Sequence, residues 1–545
     1  MRGAASGGVT DKLSLRLALG KQEQGGFQRN TLTGTTDNRT NTTARFQGLY
    51  DQSDTLTILG SIQYTKREQD ALLQKNISTL PDGAIMPLFG SPIIKFAAND
   101  DFRDYPITHD GGIDFDTVMA TLRIEKEFGG FNLVATSGYL DGDGVITQDF
   151  DGNEAAIAII PGWEEEYDTL SQEIRLVGKN WLVGVYYYSD DAASSYVFDY
   201  HAESLQGLLT RGAGKRDNVP IEVETTSWAA FGEYTLDFSE QWALSLGGRY
   251  STDEKDWVLA GETTLPGLPV VLAPYVYDDG DDWDSFDPKV ALKYRVNDDV
   301  LAYFTYNEGY KAGGVQFTAI TEALARQVFD PEELSAYELG VKSDLMDNTL
   351  RVNATAFYYD YQDLQVQRVD TEVSGGLPVA FTSNAAESEI SGLELDINWL
   401  PNEALDFRLA YAYLHTEYVD YIGPGGVDFS GNPLPNSPKH TLIGSIGYTT
   451  TLPGNWTLNL GTDWTFTDEH NFDVLDDDPF TKEDSYTLGA ARLAVISPDQ
   501  KWTVTAYVKN LTDEEYYSQM TRRSTEVIAS AADGRRYGLR VRYDF

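Results

Sequence analysis

The sequence predicts an all-β fold, a transmembrane antiparallel β-barrel of about 21 strands, and three observations carry that prediction. Apolar and polar residues alternate along runs of ten or so residues, such as "WALSLGGRYS" (242–251) and "WTLNLGTDWTF" (456–466). Short polar turns and long irregular segments follow one another in regular succession, which is the rim asymmetry of outer-membrane barrels. Trp181, Trp242, Trp399, Trp456 and Trp502 adjoin short turns, where an interfacial aromatic girdle would place them.

The elements are justified in chain order by their punctuation. Tight turns are expected at 7–12, 51–55, 129–130, 178–180, 238–241, 296–299, 345–348, 400–404, 452–455 and 497–500, each with Gly, Pro, Asn, Asp or Ser chemistry. Long loops are expected at 69–111, 145–165, 200–224, 256–281, 311–333, 368–386, 419–437 and 469–484. The strands between them alternate cleanly: Trp242, Leu244, Leu246 and Tyr250 oppose Ala243, Ser245, Arg249 and Ser251. A half-buried soluble sheet alternates too. Strands this long, however, suit a tilted membrane crossing better than a sandwich. A propeller would need a blade repeat of about 40–45 residues, and no such repeat is present.

The last element is "GRRYGLRVRYDF" (534–545). Tyr537, Leu539, Val541, Tyr543 and Phe545 share one side, and Gly538, Arg540, Arg542 and Asp544 the other. On the barrel reading the first side meets hydrocarbon and the second a wet or plugged lumen. Phe545 then sits at the periplasmic interface, and Tyr543 with Phe545 reads as a C-terminal signal for the barrel assembly machinery.

Composition excludes several classes. The formal net charge of −44 makes nucleic acid an improbable partner, because phosphates would be repelled. Aromatic residues, at 12%, are too many for a disordered acidic chain. Cysteine is absent, which removes disulfides, thiolate metal sites and cysteine nucleophiles. Apolar runs such as Ala155–Ile160 are far too short for a membrane-spanning helix. "MRGAASGGVTDK" has no apolar export region.

Several segments also resemble the TonB-dependent outer-membrane receptors. "FDPKVALKYRVNDDVLAYFTYNEGYKAGGVQF" (286–317) looks like that family's mid-barrel hairpin and the loop it enters. "FDPEELSAYELGVKSDLMDNTLRVNATAFYYDYQDLQVQ" (329–367) is similar to the strand pair that follows. "SGLELDINWLP", "WTVTAYVKNLTDEEYY" and the terminal strand match its closing segments. The resemblance implies a Gram-negative outer-membrane location and energised uptake of a scarce solute. A ferric siderophore or similar iron complex comes first among the solutes, with carbohydrate and cobalamin as the other classes. It implies as partners the TonB–ExbB–ExbD energy-transducing complex, a small-molecule ligand, and outer-membrane lipid with its lipopolysaccharide. It implies neither an enzyme nor a cofactor.

The family's barrel has 22 strands around an N-terminal plug. "MRGAASGGVTDKLSLRLALG" resembles its second strand running into the third. Residues 1–545 are therefore expected to be barrel alone, with the plug and first strand lying upstream and the two end strands parallel. The alternative is a passive diffusion porin, although porins use fewer strands, about 16–18.

Candidate ligand residues are Tyr306, Tyr310, Lys311 and Gln316, where a strand meets an extracellular loop, with Phe317 and Trp464 in the same set. "EGYKAGG" (308–314) lacks phosphate-loop spacing. The histidines His109, His201, His415, His440 and His470 are dispersed, and none lies in the loop at 311–333, which argues against haem. The acidic clusters at 162–168, 277–284 and 473–480 are expected in loops. They read as a solvated rim, bridged by divalent ions to lipopolysaccharide, in preference to dedicated Ca²⁺ sites.

Overall fold

The computed structural model describes residues 1–77, 101–152, 154, 158–201, 214–265, 271–370, 379–423, 426–475, 478, 480–523 and 526–545. One antiparallel sheet of 21 strands dominates it. The first seven are β1 (Arg2–Thr10), β2 (Leu13–Gln24), β3 (Arg39–Ser53), β4 (Leu56–Gln69), β5 (Gly112–Phe128), β6 (Phe131–Asp149) and β7 (Ala158–Gly178). Then come β8 (Trp181–Tyr200), β9 (Lys215–Asp237), β10 (Trp242–Thr264), β11 (Val271–Asn297), β12 (Val300–Lys311), β13 (Glu332–Leu345) and β14 (Leu350–Asp370). The sheet ends with β15 (Val379–Asn402), β16 (Leu405–Asp420), β17 (His440–Leu452), β18 (Trp456–Thr467), β19 (Tyr486–Ile496), β20 (Trp502–Lys509) and β21 (Arg536–Tyr543). A single-turn helix, α1 (Glu322–Ala325), lies between β12 and β13.

Each strand pairs with its sequence neighbours, as an up-and-down wall requires. β1 pairs with β2 and β21 with β20, and among the described residues β1 and β21 do not pair with each other. Both run toward the short-turn rim, so these two edges are parallel, as expected from the sequence.

Register fixes which face is which. In β10 and β11, Leu246 pairs with Val290 and Tyr250 with Phe286, and this row is exposed on the outside. Ser245 and Ser251, one step out of phase, point inward and are buried. The tryptophans expected at the lower girdle stand at the short-turn ends of their strands, and Trp242 stacks on Tyr294 at 4.4 Å. From Trp242 to Tyr250 is eight residues, and at about 3.4 Å each with a tilt near 40° that is roughly 21 Å of height, close to the ~25 Å apolar band of such barrels. Tyrosines mark the upper edge. Tyr64, Tyr139, Tyr306 and Tyr358 each donate a phenol proton upward to a carboxylate, on Asp116, Asp168, Glu308 and Glu389 respectively.

The tight turns are built from left-handed residues. Gly454 (φ +82°) and Asn455 (φ +62°) reverse the chain between β17 and β18, and Met346, Asp347 and Asn348 do so after β13.

The expected long loops need correction. β11 is 27 residues long and β15 is 24, more than twice the roughly 9–11 that a bilayer crossing uses. Residues 158–165, 215–224, 256–264 and 271–281 belong to strands and not to loops. The acidic stretches at 162–168 and 277–284 accordingly lie in the wall above the membrane, while 476, 477 and 479 of the third cluster fall outside the described residues. Above the membrane the outer face is wet, so lipid no longer enforces the alternation, yet the backbone ladder continues because each strand still has a partner.

Above the membrane, loops from the two ends of the chain meet. Lys75–Asn76 adds a short strand to the hairpin Tyr517–Arg523 and Glu526–Ala531. The Lys75 ammonium lies 5.7, 5.4 and 6.0 Å from the rings of Phe102, Tyr105 and Tyr517. Gln28 donates to the Ala531 carbonyl at 2.5 Å, and Arg103 pairs with Asp513 at 3.3 Å. Asp149, buried beneath this collar, accepts from the backbone N–H groups of Thr108, His109 and Gly152, yet burial still holds its carboxyl above the ordinary range.

Candidate functional site

The inner face of the wall lines the lumen with ordered side chains. Its deepest part lies on β8 to β12. Arg249 donates from Nε to Ser251 at 2.9 Å, and its guanidinium lies 5.4 Å from the Tyr186 ring and 5.8 Å from the Phe231 ring. Two strand positions higher, Asp253 accepts from the hydroxyls of both Ser227 and Tyr310. Burial first, and Asp253 second, push the Tyr310 phenol well above its usual range, so it stays a neutral donor. Lys255 lies 5.6 Å over the Trp283 ring and donates to the Gly313 carbonyl at 2.7 Å; burial lowers its pKa. The result is a vestibule of aromatic faces with two cations, Arg249 and Lys255, and one carboxylate, Asp253, suited to holding a flat or ring-bearing solute.

The loop after β12 folds inward and roofs this region. Thr321 caps α1, and Leu324 and Ala325 pack with Val315 and Ala319 against Trp257, Leu259, Tyr275 and Tyr277 of the wall. Gln316 is buried, and its amide is used twice on Thr382: it donates to the carbonyl at 2.8 Å and accepts from the N–H at 2.9 Å.

The structure does not bring the six sequence candidates together. Tyr310 donates to Asp253 on the inner face of β10. Lys311 is exposed, 4.0 Å from Glu332, and Phe317 is exposed on the loop. The Gln316 amide is fully engaged with the backbone and so holds the loop in place. Tyr306 pairs with Val290 and Tyr337, putting it on the outer, lipid-facing row, where it stacks with Tyr337 at 4.9 Å. Trp464 shares the outer row of Trp456 and Leu460. The alternation along β18 assigns Trp464 to the lipid face. Arg249, Tyr186 and Phe231 are not among the six sequence candidates. They carry a legible signal, being aromatic and cationic residues on the polar phase of long strands.

Lower in the lumen, Glu338 accepts from the Tyr359 hydroxyl at 3.0 Å. A recess of about 240 Å³ opens nearby between Thr355, Glu394, Asp396, Ala410 and Ala412. Among the described residues there is no group of three or more His, Cys, Asp or Glu side chains placed to hold a metal ion.

Comparison with known proteins fits this geometry. Residues 19–511 match the family described as TonB dependent receptor-like, beta-barrel. The chain belongs to that family. TonB-dependent receptor barrels lie in the Gram-negative outer membrane, and so does this one. The Probable TonB-dependent receptor BfrD of Bordetella pertussis is 26% identical over 318 residues, 57% of this chain and 40% of its own length. The Probable TonB-dependent siderophore receptor PiuA of Acinetobacter baumannii is 24% identical over 374 residues, 66% of this chain and 46% of its own length. The chain thus spans less than half the length of these curated relatives. Among solved structures, the ferric yersiniabactin uptake receptor FyuA from Yersinia pestis superposes with a TM-score of 0.80 at 17% identity. That match covers 100% of this chain and 77% of FyuA. The structure of PiuA gives 0.74 at 17% identity, covering 99% and 79%. At such identities the likeness establishes a shared fold. The family is one of receptors and transporters.

Proposed function

We propose that this TonB-dependent receptor barrel serves energised uptake of a scarce solute, an iron–siderophore complex first among the classes, with carbohydrate and cobalamin as the others. The family match over 19–511 carries this reading. The aromatic vestibule at Arg249, Tyr186 and Phe231 supports capture at the extracellular mouth, and Tyr310, Lys311 and Phe317 lie where they could contribute. Residues 1–545 act as the barrel domain, and a lumen-filling plug encoded upstream supplies the contact with the TonB–ExbB–ExbD complex. Outer-membrane lipid and lipopolysaccharide surround the wall, and the barrel assembly machinery recognises the end of β21 through Tyr543 and Phe545. The test is uptake of radiolabelled iron complexes by iron-starved cells carrying or lacking the gene with its upstream sequence. Uptake that needs both the gene and TonB is expected. Uptake unaffected by loss of TonB, together with a large constant conductance in planar bilayers, would instead establish the passive porin.

A further inference from the structure

Above the tyrosines, the acid of β7 is sorted by face. Glu164, Glu166 and Asp168 are exposed and share the outer phase of Leu170 and Ile174. Glu165 is one step out of phase and turns inward. It stands high on the wall. Leu170 pairs with Tyr139 at the upper edge of the apolar band, and Glu165 lies five residues further up the strand. At about 3.4 Å each with a tilt near 40°, that is roughly 13 Å of height. A body that fills the membrane-spanning lumen stands below that level.

Rings surround this carboxylate. Trp163 and Tyr167 flank it along β7, and the Trp163 indole N–H donates at 3.0 Å to the hydroxyl of Ser194, the residue paired with Glu165 on β8. Tyr196 meets the same indole edge to face at 5.6 Å. On the other side Glu165 pairs with Gly144, and the Phe115 ring of β5 lies over that glycine, where a Cβ would collide with it. Tyr167 lies in the same way over Gly142. Among the described residues Glu165 has neither an ion pair nor a hydrogen-bond partner, and no lysine or arginine holds a neighbouring inner position on β6, β7 or β8. Burial alone raises its carboxyl above the ordinary range. The same cross-strand row continues through Ser194 to Ile221 and Leu259, which pack into the dry core beneath the roof. There the wall carries apolar side chains; at Glu165 it keeps an uncompensated charge, which is costly unless something arrives to pair with it.

We propose that Glu165, with Phe115, Trp163 and Tyr167, forms a cage on the inner wall of the extracellular mouth for an organic cation, an ammonium group carried by the solute. Aromatic faces attract such a cation through their quadrupoles, and a carboxylate among them supplies the opposite charge. The proposal rests on the uptake reading and adds to it a charge class for the solute and a subsite apart from Arg249.

The test is saturation-transfer NMR on the receptor expressed with its upstream sequence and held in deuterated detergent. Choline is the probe, and dimethylbutanol is its uncharged carbon isostere. Choline is expected to bind saturably, and the isostere about tenfold more weakly. Glu165→Gln and Trp163→Leu should each weaken choline binding, the first by about tenfold. Glu164→Gln removes the same charge one residue away on the outer face and should leave the affinity unchanged. Heat-modifiable gel mobility reports folding, and if Glu165→Gln fails that check, Trp163→Leu decides, because it keeps every charge. Absence of choline binding, equal binding of the isostere, an unchanged Trp163→Leu, or equal loss in Glu164→Gln overturns the cage. Choline binding without TonB-dependent uptake would keep the cage and remove the receptor reading; such uptake without choline binding would do the reverse.

Discussion

The lower and upper halves of the same strands are built inside out with respect to each other. In β10, Trp242, Leu244, Leu246 and Tyr250 point outward, whereas seven residues further on Trp257 and Leu259 are buried on the inner face. β11 does the same, with Phe286, Val290 and Leu292 outside and Tyr275 and Tyr277 inside. β9 repeats it, with Trp228, Tyr234 and Leu236 outside and Val219 and Ile221 inside. The backbone does not change phase between the two halves; the solvent does. Below the tyrosines the outer face meets hydrocarbon and the apolar residues go there. Above them the outer face meets water, and the apolar residues turn to an ordinary dry core beneath the roof of α1. One strand thus obeys two hydrophobic rules in succession.

Charging each half should separate the rules. Leu259 is 0% exposed, so Leu259→Arg strands a cation in a protein core and should cost about 3–5 kcal/mol in any host, detergent or bilayer. Leu246→Arg should cost about 2–4 kcal/mol, and only where hydrocarbon surrounds the wall. Urea unfolding of both variants in phospholipid vesicles and in a short-chain detergent checks this. If Leu246→Arg proved as costly in detergent as in lipid, the outer row would have to be buried in protein.

The upper half should also respond to pH in a way the lower half does not. Glu483, behind β19, is mostly buried and accepts the Tyr517 N–H at 3.1 Å; burial first, then Asp484 and Glu514, push it from an ordinary 4.5 up to about 7. The folded collar therefore holds this proton at pH values where the unfolded chain has released it. Its contribution is complete below pH 4.5 and is lost as pH rises through 7. The shift of about 2.5 pK steps is worth at most about 3 kcal/mol. Hydrogen-exchange protection across Tyr517–Ala531, corrected for the intrinsic pH dependence of exchange, should be greater at pH 5 than at pH 8, with Glu483→Gln flattening the difference. Equal protection at both pH values would show that Glu483 ionises without penalty.

The two rules also explain what could be read in the sequence. The strand count, the short turns, the lower tryptophans and the apolar row of β21 were legible because lipid enforces strict alternation over the membrane part. The upper parts of β7, β10 and β11 read as loops in the sequence because acid such as "DDGDD" on both faces, followed by apolar residues in the opposite phase, breaks the pattern while the ladder persists. Site residues suffered most. Tyr306 lies close to a loop, yet Phe304, two residues earlier and exposed on the outside, fixes its side. Gln316 lies in a segment with no periodicity, so neither its burial nor its partner could be foreseen.

Gln316 gives the finest test of the upper core. Its side chain is the polar counterpart of the packing around Leu324: it joins the roof to β15 by two hydrogen bonds on Thr382. Gln316→Ala removes both and leaves a buried N–H and C=O without partners, which costs about 1–2 kcal/mol. The wall itself keeps its ladder, so global unfolding should shift little while the roof loosens. The Thr382 amide, which donates to the Gln316 oxygen in the unmodified protein, should then exchange about ten times faster, with amides such as that of Leu246 unchanged. If Thr382 exchange stayed the same, the roof would be held by Val315, Ala319 and Leu324 alone, and the upper half would be as purely apolar in its cohesion as the lower.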